Sequence, residues 1–151
     1  MRNLFVAGMV LLAIVSSAVF AHDGATGVIK ERMESMKGMA RAMKQIKVMI
    51  NGRANYKAAR VKELARSIAE HSGVALNRVF PSGSNAEPSH AKPEIWEDWQ
   101  AFTDLGAAME KHAVQLAGNA ATASKAKVTY TKLSKTCKSC HRKFRAKKKR
   151  R

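Results

Sequence analysis

Residues 130–144 read Tyr130-Thr131-Lys132-Leu133-Ser134-Lys135-Thr136-Cys137-Lys138-Ser139-Cys140-His141-Arg142-Lys143-Phe144. Tyr130, Leu133, Cys137, Cys140 and Phe144 recur at steps of three and four, so they share one face of a helix. That helix is predicted over about 121–146, and three more can be traced back from it. Gly118-Asn119 gives a weak break before it. Upstream, Ile95, Trp99, Phe102, Met109, Ala113 and Leu116 form the inner face of a third helix. Pro93 stands near its first turn, where a missing N–H costs nothing. Glu94, Glu97 and Asp98 place negative charge at its positive end.

Residues 81–93 contain all three prolines, with Ser82, Gly83, Ser84 and Asn85 among them, and form the long connection. A second helix is predicted over about 55–72. Tyr56, Val61, Leu64, Ala65 and Ile68 face inward, and Gly73 ends it. A first helix is predicted over about 26–50. Ile29, Met33, Met36, Ala40, Met43, Ile46 and Ile50 form its stripe, and Asn51-Gly52 stops it. Strand signals are poor. The pattern predicts an all-α fold, an antiparallel up-down four-helix bundle occupying residues 22–146.

The chain has 151 residues, with 28 Lys or Arg against 11 Asp or Glu, a formal net charge of +17. Hydrophobic residues at 46% suffice for a packed core, and two cysteines exclude a disulfide-rich scaffold or a four-cysteine zinc site. The charge first suggests nucleic-acid binding. Residues 1–21 argue against it. Arg2, the apolar run Leu4–Val15 and the small-residue ending Val19-Phe20-Ala21 predict a signal peptide cleaved before His22. An uncleaved anchor is the rival reading of the same segment. Export to the periplasm makes nucleic acid an improbable partner and places both thiols in an oxidising compartment.

Cys137-Lys138-Ser139-Cys140-His141 has the C-x-x-C-H spacing of covalent c-type haem attachment. Two thiols three positions apart lie on one helical turn and can add to two vinyl groups along one haem edge. The adjacent imidazole is then held beside the macrocycle, where it can bind iron. Zinc would need further ligands at suitable spacing. A thioredoxin-like pair should follow a strand and open a helix. A plain disulfide is the third rival.

The sequence resembles the class II c-type cytochromes, the family of cytochrome c′ and its low-spin relatives. Their bundles carry this motif near the end of the last helix, and cytochrome c′ is itself a standing example of the four-helix bundle. The resemblance rests on Cys137-Lys138-Ser139-Cys140-His141-Arg142-Lys143-Phe144-Arg145, on Val28-Ile29-Lys30-Glu31-Arg32 with Met36, on Val79-Phe80-Pro81, and on Lys92-Pro93-Glu94-Ile95-Trp96. It implies one haem c bound to Cys137 and Cys140, with His141 as the proximal iron ligand. It places Arg32 near the haem propionates as a guanidinium–carboxylate partner, and Met33 along the haem edge. Ala91 and Lys92 correspond to a loop near the same propionates, and Trp96 reads as packing. It also implies a homodimer through the first helices.

The resemblance puts Met36 at the distal position, facing the iron opposite His141. Bound, its thioether gives a low-spin electron carrier; unbound, it leaves iron five-coordinate. Met33, Met36, Met39 and Met43 form a stripe that also suits a core. The leading expectation is a periplasmic monohaem electron-transfer protein ligated by His141 and Met36. The alternative is a five-coordinate cytochrome c′ that binds nitric oxide or other diatomic gases. A third reading is a basic helical surface-binding protein without haem. No enzymatic acid–base pair is legible. His71 and His112 read as solvated, and His90 lies in the long loop.

No Asp or Glu follows Glu110, and the last 41 residues hold 14 Lys or Arg. The tail, residues 147–151, is wholly basic. A basic face beside a haem suits a redox partner with an acidic docking surface; contact with an anionic membrane surface is the other reading of the tail.

Overall fold

A computed structural model describes residues 25–147. The predicted signal peptide and the end of the basic tail lie outside them. The helices are α1 (Gly27–Ile50), α2 (Ala58–Glu70), α3 (Gly73–Arg78), α4 (Glu94–Glu97), α5 (Trp99–Gly118) and α6 (Ala123–Phe144). Among the described residues there is no strand, only an isolated antiparallel bridge between Ala91 and Arg145. No helix there is long and apolar enough to cross a membrane.

α1, α2, α5 and α6 form the four-helix bundle, with α2 and α6 each packed against both α1 and α5. Ile46, Val61, Ala113, Leu116, Ala126 and Leu133 have no exposed surface. Each large side chain buried in this way stabilises the fold by about 1.5–3 kcal/mol. Asn51 ends α1, and Gly52 follows at φ 71°, a left-handed conformation that suits glycine.

Two helices differ from the sequence expectation. The second begins at Ala58, not Asn55. Tyr56 stays in the connection, where its hydroxyl donates to the Ala120 carbonyl at 2.7 Å. Gly73 is not only a stop: it opens the short α3, which packs on α5. The third is interrupted at Asp98, which ends α4 and caps α5 by accepting from the Ala101 N–H at 3.3 Å. The break turns Trp99 outward. It is 39% exposed, stacked on Phe102 and not part of the core as its spacing predicted. Thr122 caps α6 through the Lys125 N–H.

Candidate haem site

One end of the bundle opens into a cavity of about 300 Å³. α1 contributes Arg32, Met33, Met36, Lys37 and Ala40; α6 contributes Cys140, His141 and Phe144. Phe80, Ile95 and Phe102 form its floor, and Pro88, Ser89, His90 and Ala91 close it from the long loop. Phe102 lies 4.8 Å from Phe80 and 5.5 Å from Phe144, centroid to centroid, so the floor is an aromatic cluster.

The i, i+3 spacing of Cys137 and Cys140 puts both thiols on one side of α6, free and half-buried. Cys137 points toward α5, with its Sγ 4.0 Å from Met109 Sδ, while Cys140 faces the cavity. Burial raises both thiol pKa values, that of Cys140 to about 11 with a further push from Cys137. His141 lies one position on, at the cavity wall with an exposed edge. Partial desolvation, and then the Arg145 charge, lower its pKa, which favours the neutral imidazole that metal binding needs.

Arg32 is buried at 4% exposure, the most enclosed charged group described. Its Nε donates to the Val79 carbonyl at 2.8 Å. One terminal nitrogen donates to the Ser84 carbonyl and to Ser89 Oγ, and the other donates to Ser84 Oγ. The guanidinium also lies 4.1 Å from the centroid of the Phe80 ring. Four of its five N–H donors are thus spent on the segment from Val79 to Ser89. The charge that sequence assigned to the propionates ties down the loop that roofs the cavity.

A second tie joins the loop to the end of α6. Lys92 N–H donates to the Phe144 carbonyl at 3.0 Å, and Ala146 N–H donates to the His90 carbonyl at 2.9 Å. Lys92 Nζ reaches the Lys143 carbonyl at 3.0 Å and pairs with Glu94 at 2.5 Å. Lys143 pairs with Asp98, and this bond, with the Ala101 N–H, holds the Asp98 carboxyl below its ordinary range. Trp96 supports the floor, its Nε1 donating to the Phe80 carbonyl at 3.1 Å.

The residues fit a haem. The walls are apolar, a thiol and an imidazole stand on one side, and the cationic side chains of Lys37 and Arg145 lie at the rim. Phe80, Pro88 and Ser89 were not predicted as lining. Phe80 carried a visible signal in Val79-Phe80-Pro81, but only the fold shows that this segment lies under Arg32. His112 departs from the solvated reading: it is half-buried, with Nδ1 3.1 Å from Thr136 Oγ1.

Residues 27–145 match the family described as Cytochrome C'. The chain belongs to the cytochrome c′ family. Cytochrome c′ of Rhodopseudomonas palustris is 36% identical over 124 residues, covering 82% of this chain and 84% of the relative. Its solved structure superposes with a TM-score of 0.77 at 35% identity, covering 83% of this chain and 100% of the other. A nitric oxide complex of a mutant cytochrome c prime from Alcaligenes xylosoxidans gives a TM-score of 0.72 at 27% identity, covering 80% and 94%. As a member of the cytochrome c′ family, this protein is a haem protein with one covalently attached haem c, and its two cysteines fit that attachment. The haem-free surface-binding reading is thereby set aside.

Proposed function

We propose that this protein is a periplasmic cytochrome c′ that binds nitric oxide, or a similar diatomic ligand, at its haem. In this reading residues 1–21 are removed on export, residues 22–146 form the cytochrome domain, and residues 147–151 are a basic tail. Cys137 and Cys140 would carry the thioethers, and His141 would bind the iron. Met33 and Met36 form an apolar cover that a small uncharged molecule can pass. Bound haem supplies an iron that takes one electron or one diatomic ligand. The chain's residues exclude water from it, orient His141 and close the roof through Arg32.

The observation that carries this reading is the cavity itself. Cys140 and His141 on α6 share an apolar-walled cavity with Met33 and Met36 of α1, while cationic side chains gather at its rim. The relatives reported above are named cytochrome c′, and one of them was solved with nitric oxide. They favour an open sixth position over the Met36-ligated electron carrier that sequence put first. A redox protein sets the iron's oxidation state in either reading. Titration of the ferrous holoprotein with nitric oxide is expected to give a saturable spectral change at one ligand per haem. A spectrum unmoved by the gas would contradict the proposal.

A further inference from the structure

The charge of this protein is unevenly placed. Residues 25–110 hold thirteen Lys or Arg against ten Asp or Glu; residues 111–147 hold ten Lys or Arg and no acid. Most of that excess lies on α6. Lys125, Lys127, Lys132, Lys135, Lys138 and Arg142 are all exposed, on the side of the helix away from Leu133, Cys140 and Phe144. None of the six makes an ion pair among the described residues, whereas Lys143, beside them, pairs with Asp98. From Lys125 to Arg142 they run along about 26 Å of the helix, at 1.5 Å per residue. Like charges at this spacing repel, so the stripe costs the isolated helix some stability.

We infer that the outer face of α6 is a docking surface for an acidic protein. The chemistry recognised is a row of carboxylates, and the stripe offers mobile ammonium groups to meet them. Between the cations stand Ser124, Thr131 and Val128. No aromatic or long aliphatic side chain on this face is available to enter a bilayer, which favours a protein partner over a lipid surface. α6 also carries Cys140 and His141, so a partner seated on its outer face lies about one helix diameter, 10–12 Å, from the haem attachment. The inference rests on the covalent haem only for this proximity and is independent of whether the sixth iron position is open.

The test uses the full holoprotein with short poly-L-glutamate as the acidic probe, and phosphatidylglycerol vesicles as the lipid alternative. Lys127→Glu, Lys132→Glu and Lys135→Glu are combined in one variant. Lys44→Glu, Lys47→Glu and Arg66→Glu, exposed positions on α1 and α2, make the charge-matched control. Polyglutamate affinity at low salt is expected to fall about tenfold or more in the α6 variant and under about threefold in the control. Equal losses in both would overturn the inference, because net charge alone would then explain binding. Stronger binding to vesicles than to polyglutamate, lost only in the α6 variant, would overturn it in favour of a lipid surface. The haem absorption of the same samples reports covalent attachment separately, so failure of that reading is visible on its own.

Discussion

At the end of the bundle where α1 finishes and α6 begins, Ile46, Val61, Leu116 and Ala126 interlock with nothing exposed. At the opposite end, Met33 and Met36 remain partly exposed and the same four-helix frame leaves an apolar cavity. The first end is held by close packing, which tolerates no lost volume. The second is held by polar ties. Arg32 fastens the loop from Val79 to Ser89, and the Ala91–Arg145 bridge fastens residues 90–92 to the end of α6. A protein that must admit a large planar group cannot fill that end with side chains, so it fixes the walls by hydrogen bonds to backbone.

The two ends should therefore fail differently. The largest effect is expected from the combined Cys137→Ala and Cys140→Ala variant. Haem should become wholly extractable into acid–acetone, while circular dichroism still reports helix from the packed end. Haem retained after extraction would show that another attachment exists. Leu116→Ala, at the packed end, should cost about 2–5 kcal/mol of stability in denaturant titration and leave the haem spectrum unchanged. Met36→Ala, at the cavity, should cost far less, because its side chain is already part-exposed at a cavity wall; an equal cost would erase the distinction.

Arg32→Met should fall between them, at about 1–3 kcal/mol, since it leaves the buried Val79 carbonyl without a partner. It should also speed nitric oxide entry as the roof loosens, measured by stopped-flow mixing. Unchanged entry would confine Arg32 to a structural role. The smallest effect concerns His112, whose pKa is lowered by burial and then by Lys132 and Lys111. The unfolded chain then binds this proton first as pH falls. Stability from the neutral ring is full above the ordinary value of about 6.5 and is lost as pH drops through the lower folded value. His112→Gln should flatten that part of the melting-temperature profile between pH 7 and 5.

Periodicity carried most of the fold. The stripe of α6 and the Asn51-Gly52 stop are where the sequence put them, because burial of one face is a local pattern. On α1 only the end of the expected stripe, Ile46 and Ile50, is buried; Met39, Ala42 and Met49 supply the rest of its core face, and Ala40 is exposed beside the cavity. The Trp99 error has a local cause too: Asp98 caps a new helix and resets the phase, which a three-four count across the break cannot register. At the site, C-x-x-C-H was legible because its chemistry is contiguous. The use of Arg32 was not. Its partners Val79, Ser84 and Ser89 lie 47 to 57 positions away, in a loop without periodicity. The preference between an open and a Met36-ligated iron came from the relatives, since a methionine at that position serves either purpose.

In the proposed reading His141 would be the side chain that binds the iron of the resting protein, and Met36 would stay unbound. Electron paramagnetic resonance of the ferric holoprotein, beside Met36→Ala, tests it most directly. A high-spin signal is expected in both. A low-spin signal in the natural protein that turns high-spin in Met36→Ala would contradict it.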